Sequence, residues 1–535
     1  MKHNKSLLDI FLPIIISVAV VVGITIGRML PPMPNAQQIN SRSRSDKINT
    51  ILNIIEANYV DTVNRAQLVE SAIPAILKNL DPHSVYIPAK DLARANEPLR
   101  GSFEGIGISF NMMTDTILVI SAISGGPSEK LGMLPGDKII YINDSLVAGK
   151  RIPEDNVVGM LKGPKGTNVS VKVLRSGHNE LIPFDITRDR IPIYSVDIDY
   201  MVNENTGYIK INSFAITTYD EFMKSMRNLL NQGMEKLILD LRGNPGGIME
   251  AAIRISNEFL NEKQLIVYTL GRMQPRSEAK ANGKGIFKTG DLVILIDEYS
   301  ASASEILAGA IQDNDRGTII GRSSFGKGLV QEPVTLSDGS EVRLTIARYY
   351  TPTGRSIQKS YNEGFEKYYD DFHERITHAE SEASGSAKFA DSLKFTTQGG
   401  RIVYGGGGIM PDKFVAVDTS MTSPYYVKVW QLISRFAMRY TETNRETLNK
   451  YTTADELGKY LDRQSLISQF VEFAEQNNVR RDPAGLKTSE KIIHTQLKAI
   501  IARNILDNKG YYPILKEIDT TLKFAIEYLK TDSGN

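Results

Sequence analysis

Ser302 stands in the run Ser300-Ala301-Ser302-Ala303-Ser304-Glu305, and Lys327, in Gly326-Lys327-Gly328, follows it by 25 residues. The serine run sits where an apolar stretch, Asp291 to Asp297, gives way to a helical pattern, Ser304 to Gln312. A hydroxyl at a helix start faces free backbone N–H groups and the positive end of the dipole, both of which favour negative charge. A lysine among apolar neighbours can lose its proton near neutral pH and serve as the base for that hydroxyl. Phe325, Leu329 and Val330 supply such neighbours, and the flanking glycines leave the backbone free to aim the side chain. The chemistry this implies is that of a serine hydrolase without a catalytic histidine.

Other readings of the same residues compete. Alternating serines and alanines suit a helix N-cap, and Ser300 or Ser304 can fill that role. Gly321 to Lys327 fits the phosphate-loop pattern G-x-x-x-x-G-K, but Gly328 stands where Ser or Thr should hold magnesium. Gln331 to Val334 does not read as a helix either, so no helix N-terminus meets a phosphate, and the nucleotide reading fails. A third element, Asp240-Leu241-Arg242-Gly243-Asn244-Pro245-Gly246-Gly247, ends a strand and precedes a helix. Its glycines can present N–H groups to a developing oxyanion, or they form a plain Gly-Pro turn.

A scaffold large enough to position these pieces is available. The 535 residues call for several domains, and 41% hydrophobic against 23% charged residues indicates a globular chain. With 63 basic and 62 acidic residues, a net charge of +1 gives no electrostatic case for nucleic acid. There are no cysteines, which excludes disulfides, thiol catalysis and Cys-ligated zinc. The six histidines show no metal-binding spacing. No metal or other cofactor is implied.

The chain divides by pattern. Residues 1–30 carry Ile10 to Ile26, 17 residues without a charge behind Lys2, His3 and Lys5. This predicts an uncleaved signal anchor with the remainder outside the cytoplasm, or a secreted chain cleaved near Asn35-Ala36. Residues 37–98 read as a helical region, ended by the turn Asn79 to Tyr86. Residues 99–190 show short β-rich runs between glycines. Residues 191–423 alternate strand and helix, which indicates an α/β domain, with a polar insertion at about 361–394. Residues 424–535 are helix-rich and amphipathic.

Residues 99–190 closely resemble a PDZ domain, through Phe103 to Phe110, Gly126 to Asp137 and the strand Lys138 to Asn143. In that family a glycine-flanked loop, here Gly105-Ile106-Gly107-Ile108, gives backbone N–H groups to a peptide's terminal carboxylate. The order LRGNPGG, SASASE, GKGxVQ and GGIMPD behind such a domain resembles the C-terminal processing (tail-specific) peptidases, across about residues 40–415. The resemblance implies a crotonase/ClpP-like α/β protease core and a serine endopeptidase with a Ser–Lys dyad. It matches Ser302 to the nucleophile, Lys327 to the general base and Gln331 to a glutamine that orients the lysine. Ala303 and one of Gly246 and Gly247 match the oxyanion hole, and Asp81-Pro82-His83-Ser84 matches a structural segment. Implied substrates are extracytoplasmic proteins or peptides engaged by their C-terminal tails, with the PDZ unit gating the site. A homo-oligomer and an adaptor or regulatory protein are both compatible with the resemblance. Two alternatives compete: a catalytically inactive membrane-anchored PDZ adaptor and a crotonase-like enzyme acting on acyl-CoA.

Overall fold

The computed structural model describes residues 46–113, 115–377 and 393–531. They form two compact units, one ending at Pro74 and one starting at Ala75. The apolar run 10–26, expected as a membrane anchor, lies outside the described residues. Among those described, no helix is long and apolar enough to cross a membrane.

The first unit holds α1 (Asp46–Asn58) and most of α2 (Arg65–Lys78). Arg65 joins them by donating to Asn53 Oδ1 at 2.7 Å. The second unit opens on a turn made by Asp81, whose carboxylate accepts the N–H groups of His83 and Ser84, each at 2.8 Å. A short strand, β1 (Val85–Ile87), interrupts the stretch expected to be helical, because it pairs antiparallel with Glu341–Arg343. Helix α3 (Ala89–Arg100) then leads into the β-rich region.

That region contains β2 (Ser102–Gly105), β3 (Ile108–Met113), β4 (Thr116–Ala122), α4 (Pro127–Lys130), β5 (Lys138–Ile142) and β6 (Ser145–Leu146). It continues through α5 (Glu154–Leu161), β7 (Asn168–Leu174), β8 (Ile182–Thr187) and β9 (Asp189–Pro192). Its sheet has the order β3-β4-β5-β7-β8, with β6 beside β5, and β2 and β9 form a separate ribbon. Val169, Val171 and Val173 alternate inward along β7 and meet Val157 and Leu161 of α5 in one apolar core. The expected PDZ topology is present.

The α/β domain runs through β10 (Val196–Met201), β11 (Thr206–Ile211), α6 (Thr218–Asn231), β12 (Lys236–Asp240), α7 (Met249–Asn257), β13 (Leu265–Leu270) and β14 (Ser277–Lys280). It goes on with β15 (Asp291–Ile296), α8 (Ala303–Asp313), β16 (Thr318–Gly321), β17 (Leu329–Thr335) and β18 (Glu341–Tyr350). Helix α9 (Phe365–Thr377), β19 (Lys394–Thr396), β20 (Ile402–Tyr404) and β21 (Lys413–Phe414) complete it. The main sheet, β10-β11-β12-β15-β16-β21, is parallel from β11 onward. Parallel strands buried on both faces need nearly continuous apolar sequence, which LILD and DLVILI provide. Leu237, Leu239 and Ile294 point to the face covered by α6, α7 and α8. Tyr208, Ile238, Val293 and Leu295 point to the other. A second sheet places β18 between β1 and β13, with β17 also paired to β18.

Five helices, α10 (Pro424–Leu448), α11 (Ala454–Asp462), α12 (Leu466–Gln476), α13 (Pro483–Leu506) and α14 (Asn508–Leu515), share an apolar core around Phe436, Leu457 and Leu497. The last helix, α15 (Thr520–Thr531), is placed differently. Its Leu522, Ala525 and Leu529 cover the second face of the main sheet.

Candidate active site

Strand β15 ends at Ile296, and the chain turns sharply before α8 begins at Ala303. Ser302 occupies the helix N-cap with φ +55° and ψ −112°, a conformation L-residues rarely adopt. Strain of that kind persists only where the surroundings hold it. Here the outer serines do the holding. The Ser300 hydroxyl donates to Leu241 O at 2.9 Å, and that of Ser304 to Asn244 O at 3.0 Å. The N-cap expected at Ser300 or Ser304 is therefore Ser302 itself. The flanking hydroxyls fasten the Ser302 turn to the Asp240–Gly247 segment.

That segment packs directly behind Ser302. A Cβ on Gly246 would lie 2.8 Å from Ser302 Cβ and 2.9 Å from Ala303 N, so only glycine fits. Gly246 N–H is taken by Asn244 Oδ1 at 2.9 Å, which removes it from the candidate oxyanion donors. The N–H groups of Ala303 and Gly247 have no hydrogen-bond partner among the described residues.

Lys327 lies on the loop between β16 and β17. Its ammonium donates to Gln331 Oε1 at 2.9 Å. Gln331 Nε2 in turn donates to His83 O, so the turn before β1 holds the glutamine that holds the lysine. Burial pushes the Lys327 ammonium below its ordinary value, against the raising pull of Glu305 and Asp81. Among the described residues no hydrogen bond joins Ser302 Oγ to Lys327 Nζ, and such contacts often tighten only when substrate binds.

The fully buried carboxylate of Glu305 sits between the two loops. Its Oε1 accepts the Ser324 hydroxyl at 2.6 Å and Gly326 N–H at 2.7 Å; its Oε2 accepts Ser302 N–H at 2.8 Å and Lys327 N–H at 2.9 Å. Burial raises the Glu305 carboxyl, while these donors hold it back. Buried Tyr349 adds a second bridge, its hydroxyl lying 2.6 Å from Lys327 O and 3.1 Å from Ser302 O.

From the sequence Glu305 is named only as the end of the serine run, and Tyr349 is not singled out. The Ser302-x-x-Glu305 spacing is the signal for the first, since an acidic side chain three residues after an N-cap reaches back to its N–H. Tyr349 carries no such local signal.

The stretch expected as a polar insertion contains α9, which packs on the site. Arg375 donates to Ser324 O at 3.0 Å and Phe325 O at 2.8 Å. Phe372 stands 5.0 Å from the Phe325 ring and 5.6 Å from that of Tyr299, touching both the Lys327 loop and the Ser302 turn. His83 packs against Phe325 and Tyr368, and burial beside the Lys327 charge pushes its imidazole down to about 4.

In the PDZ domain the Gly105–Ile108 loop is braced from within. Ile106 is 2% exposed, its carbonyl accepts the Ser128 hydroxyl at 2.6 Å, and Gly107 O accepts Ile123 N–H at 2.9 Å. The N–H groups of Ile106 and Gly107 have no partner among the described residues.

Comparison with known proteins agrees with this architecture. Residues 205–367 match the model of peptidase family S41 and residues 105–185 that of the PDZ domain. Residues 31–91 match the activating protease CtpB N-terminal domain, and residues 425–507 a family of unknown function. The carboxy-terminal processing protease CtpB of Bacillus subtilis is 35% identical over 334 residues, 61% of this chain and 68% of the relative. The carboxy-terminal-processing protease of Bartonella bacilliformis is 34% identical over 349 residues, 63% of this chain and 79% of the relative. The chain belongs to the PDZ-containing carboxy-terminal processing proteases of peptidase family S41. It is a serine-type peptidase.

Proposed function

We propose that this peptidase cleaves extracytoplasmic proteins or peptides near their C-termini with a Ser302–Lys327 dyad. The observation that carries the reading is the buried Lys327 amine, pointed by Gln331 and tied through Glu305 to the strained Ser302 turn. Lys327 Nζ takes the Ser302 proton as Oγ bonds to the scissile carbonyl carbon. The N–H groups of Ala303 and Gly247 receive the oxyanion. Collapse breaks the C–N bond, and the lysine returns its proton to the departing amine. Water, deprotonated in the same way, then hydrolyses the acyl-enzyme ester and frees Ser302.

The unpartnered N–H groups at Ile106 and Gly107 support capture of a chain-end carboxylate by the PDZ domain. Residues 10–26 would anchor the chain with its catalytic region outside the cytoplasm. The test is hydrolysis of casein and of peptides with free or amidated C-termini. Ser302→Ala and Lys327→Ala should each abolish turnover in folded protein, and amidation should weaken binding. Cleavage that persists in both variants would refute the dyad, and equal activity in a chain lacking residues 99–190 would refute PDZ gating.

A further inference from the structure

Arg242 opens the turn that leads to Gly246 and Gly247, and two carboxylates share its guanidinium. Nε and Nη2 meet Asp240 at 3.0 and 2.6 Å, while Nη1 and Nη2 meet Asp519 at 2.9 and 2.7 Å. Asp240 is fully buried and also accepts the Tyr208 hydroxyl at 2.7 Å. Asp519 immediately precedes α15 and accepts Leu522 N–H at 2.9 Å, so the same side chain caps the helix that covers the sheet. A planar guanidinium engaged by forked carboxylates has little freedom to turn.

The origin of each tie matters. Asp240 lies two residues from Arg242, so that pairing travels with the turn. The bonds from Ser300 and Ser304 come from the nucleophile segment itself. Ile211 and Phe214 hold the far end, through Asn244 Nδ2 and Gly246 O. At the near end Lys210 donates to Arg242 O at 2.7 Å and Asp297 accepts Gly243 N–H at 2.9 Å, while Asp519, 277 positions from Arg242, holds the guanidinium itself from a separate element.

We infer that Asp519 is a positioning residue of the hydrolytic site, fixing through Arg242 the glycine turn that lies against Ser302 and Ala303. The inference rests on the Ser302–Lys327 reading. It gives the last helix a part in catalysis rather than in cover alone.

The test uses the full chain, with casein as substrate. Steady-state kcat and KM are measured for wild type, Asp519→Asn and Asp519→Glu. A fluorophosphonate titration of Ser302 counts active sites, and melting temperatures are recorded. Asn keeps the shape and the helix cap but weakens the charged fork. The expected result is a kcat lowered about tenfold at nearly constant KM, as for a displaced transition-state donor. Glu should recover part of the rate, and Asp519→Asn should cause no further loss in an Arg242→Gln background. Wild-type kcat in Asp519→Asn, or rates that follow melting temperature irrespective of charge, would overturn the inference. Should Asp519→Asn not fold, Asp519→Glu read against Arg242→Lys decides the same question. Hydrolysis surviving in Ser302→Ala would instead sink the dyad reading, so the two failures are distinct.

Discussion

Ser302 and Lys327 give their backbone N–H groups to one oxygen atom, Glu305 Oε2, at 2.8 and 2.9 Å. A hydroxyl and an amine that follow the carboxyl ends of two adjacent parallel strands, β15 and β16, are thus referenced to a single buried point. Glu305→Gln should damage both. Its amide would place donors against existing donors, and each buried group left unpaired costs about 1–3 kcal/mol. We expect a lower melting temperature and a kcat reduced about tenfold or more; wild-type values for both would remove Glu305 from this role.

A general base must be neutral to act, and burial holds the Lys327 ammonium below the ordinary 10.5. The rise of kcat/KM with pH should therefore have its midpoint below that value. Gln331→Glu places a carboxylate where the amide oxygen now lies 2.9 Å from Nζ, which favours the ammonium. The limb should move to higher pH. Superimposable profiles for the two enzymes would show that Gln331 does not govern the base.

The three serines should separate by kind of defect. Ser302→Ala should leave a folded protein that no fluorophosphonate labels. Ser300→Ala and Ser304→Ala should each keep labelling but lose about 1 kcal/mol of stability, the net worth of one hydrogen bond. Denaturant unfolding with active-site titration tells them apart.

Gly246→Ala is the sharpest steric probe. Beside its contact with Ser302, the new methyl would sit 2.6 Å from Ala301 O at a residue with φ +97°. Near-complete loss of turnover is expected, with unfolding at lower denaturant. Retained kcat would mean the turn can withdraw without harm to the site.

His83 offers a stability test with a defined sign. Its folded value, about 4, lies below the ordinary 6.5, so the unfolded chain takes up this proton first. The stability contributed is complete above pH 6.5 and declines as pH falls from there toward 4. His83→Gln should flatten the melting-temperature profile across that interval; an unchanged slope would assign it to other groups.

Much of this was legible in short windows of sequence. Strands β12, β13 and β18 fall where their apolar and β-branched runs end, because such runs need only the sheet to explain them. Ser302, Lys327 and Gln331 were legible as motifs, and the structure ties the first two to Glu305 and the third to the lysine. What stayed hidden depends on contacts between distant segments. Nothing near Val85 announces pairing with Arg343, and nothing near Asp519 announces a guanidinium 277 positions earlier. Gly246 and Gly247 looked alike until Asn244 claimed one of their amides.

Helix α15 also bears on when this peptidase comes into being. Translation delivers Ser302, Lys327 and Gly247 well before residues 519–531. Until those arrive, Tyr208, Ile238, Val293 and Leu295 lack their apolar cover and Arg242 lacks its outer carboxylate. On the Asp519 inference, a chain stopped before α15 should hydrolyse casein more slowly than the full chain.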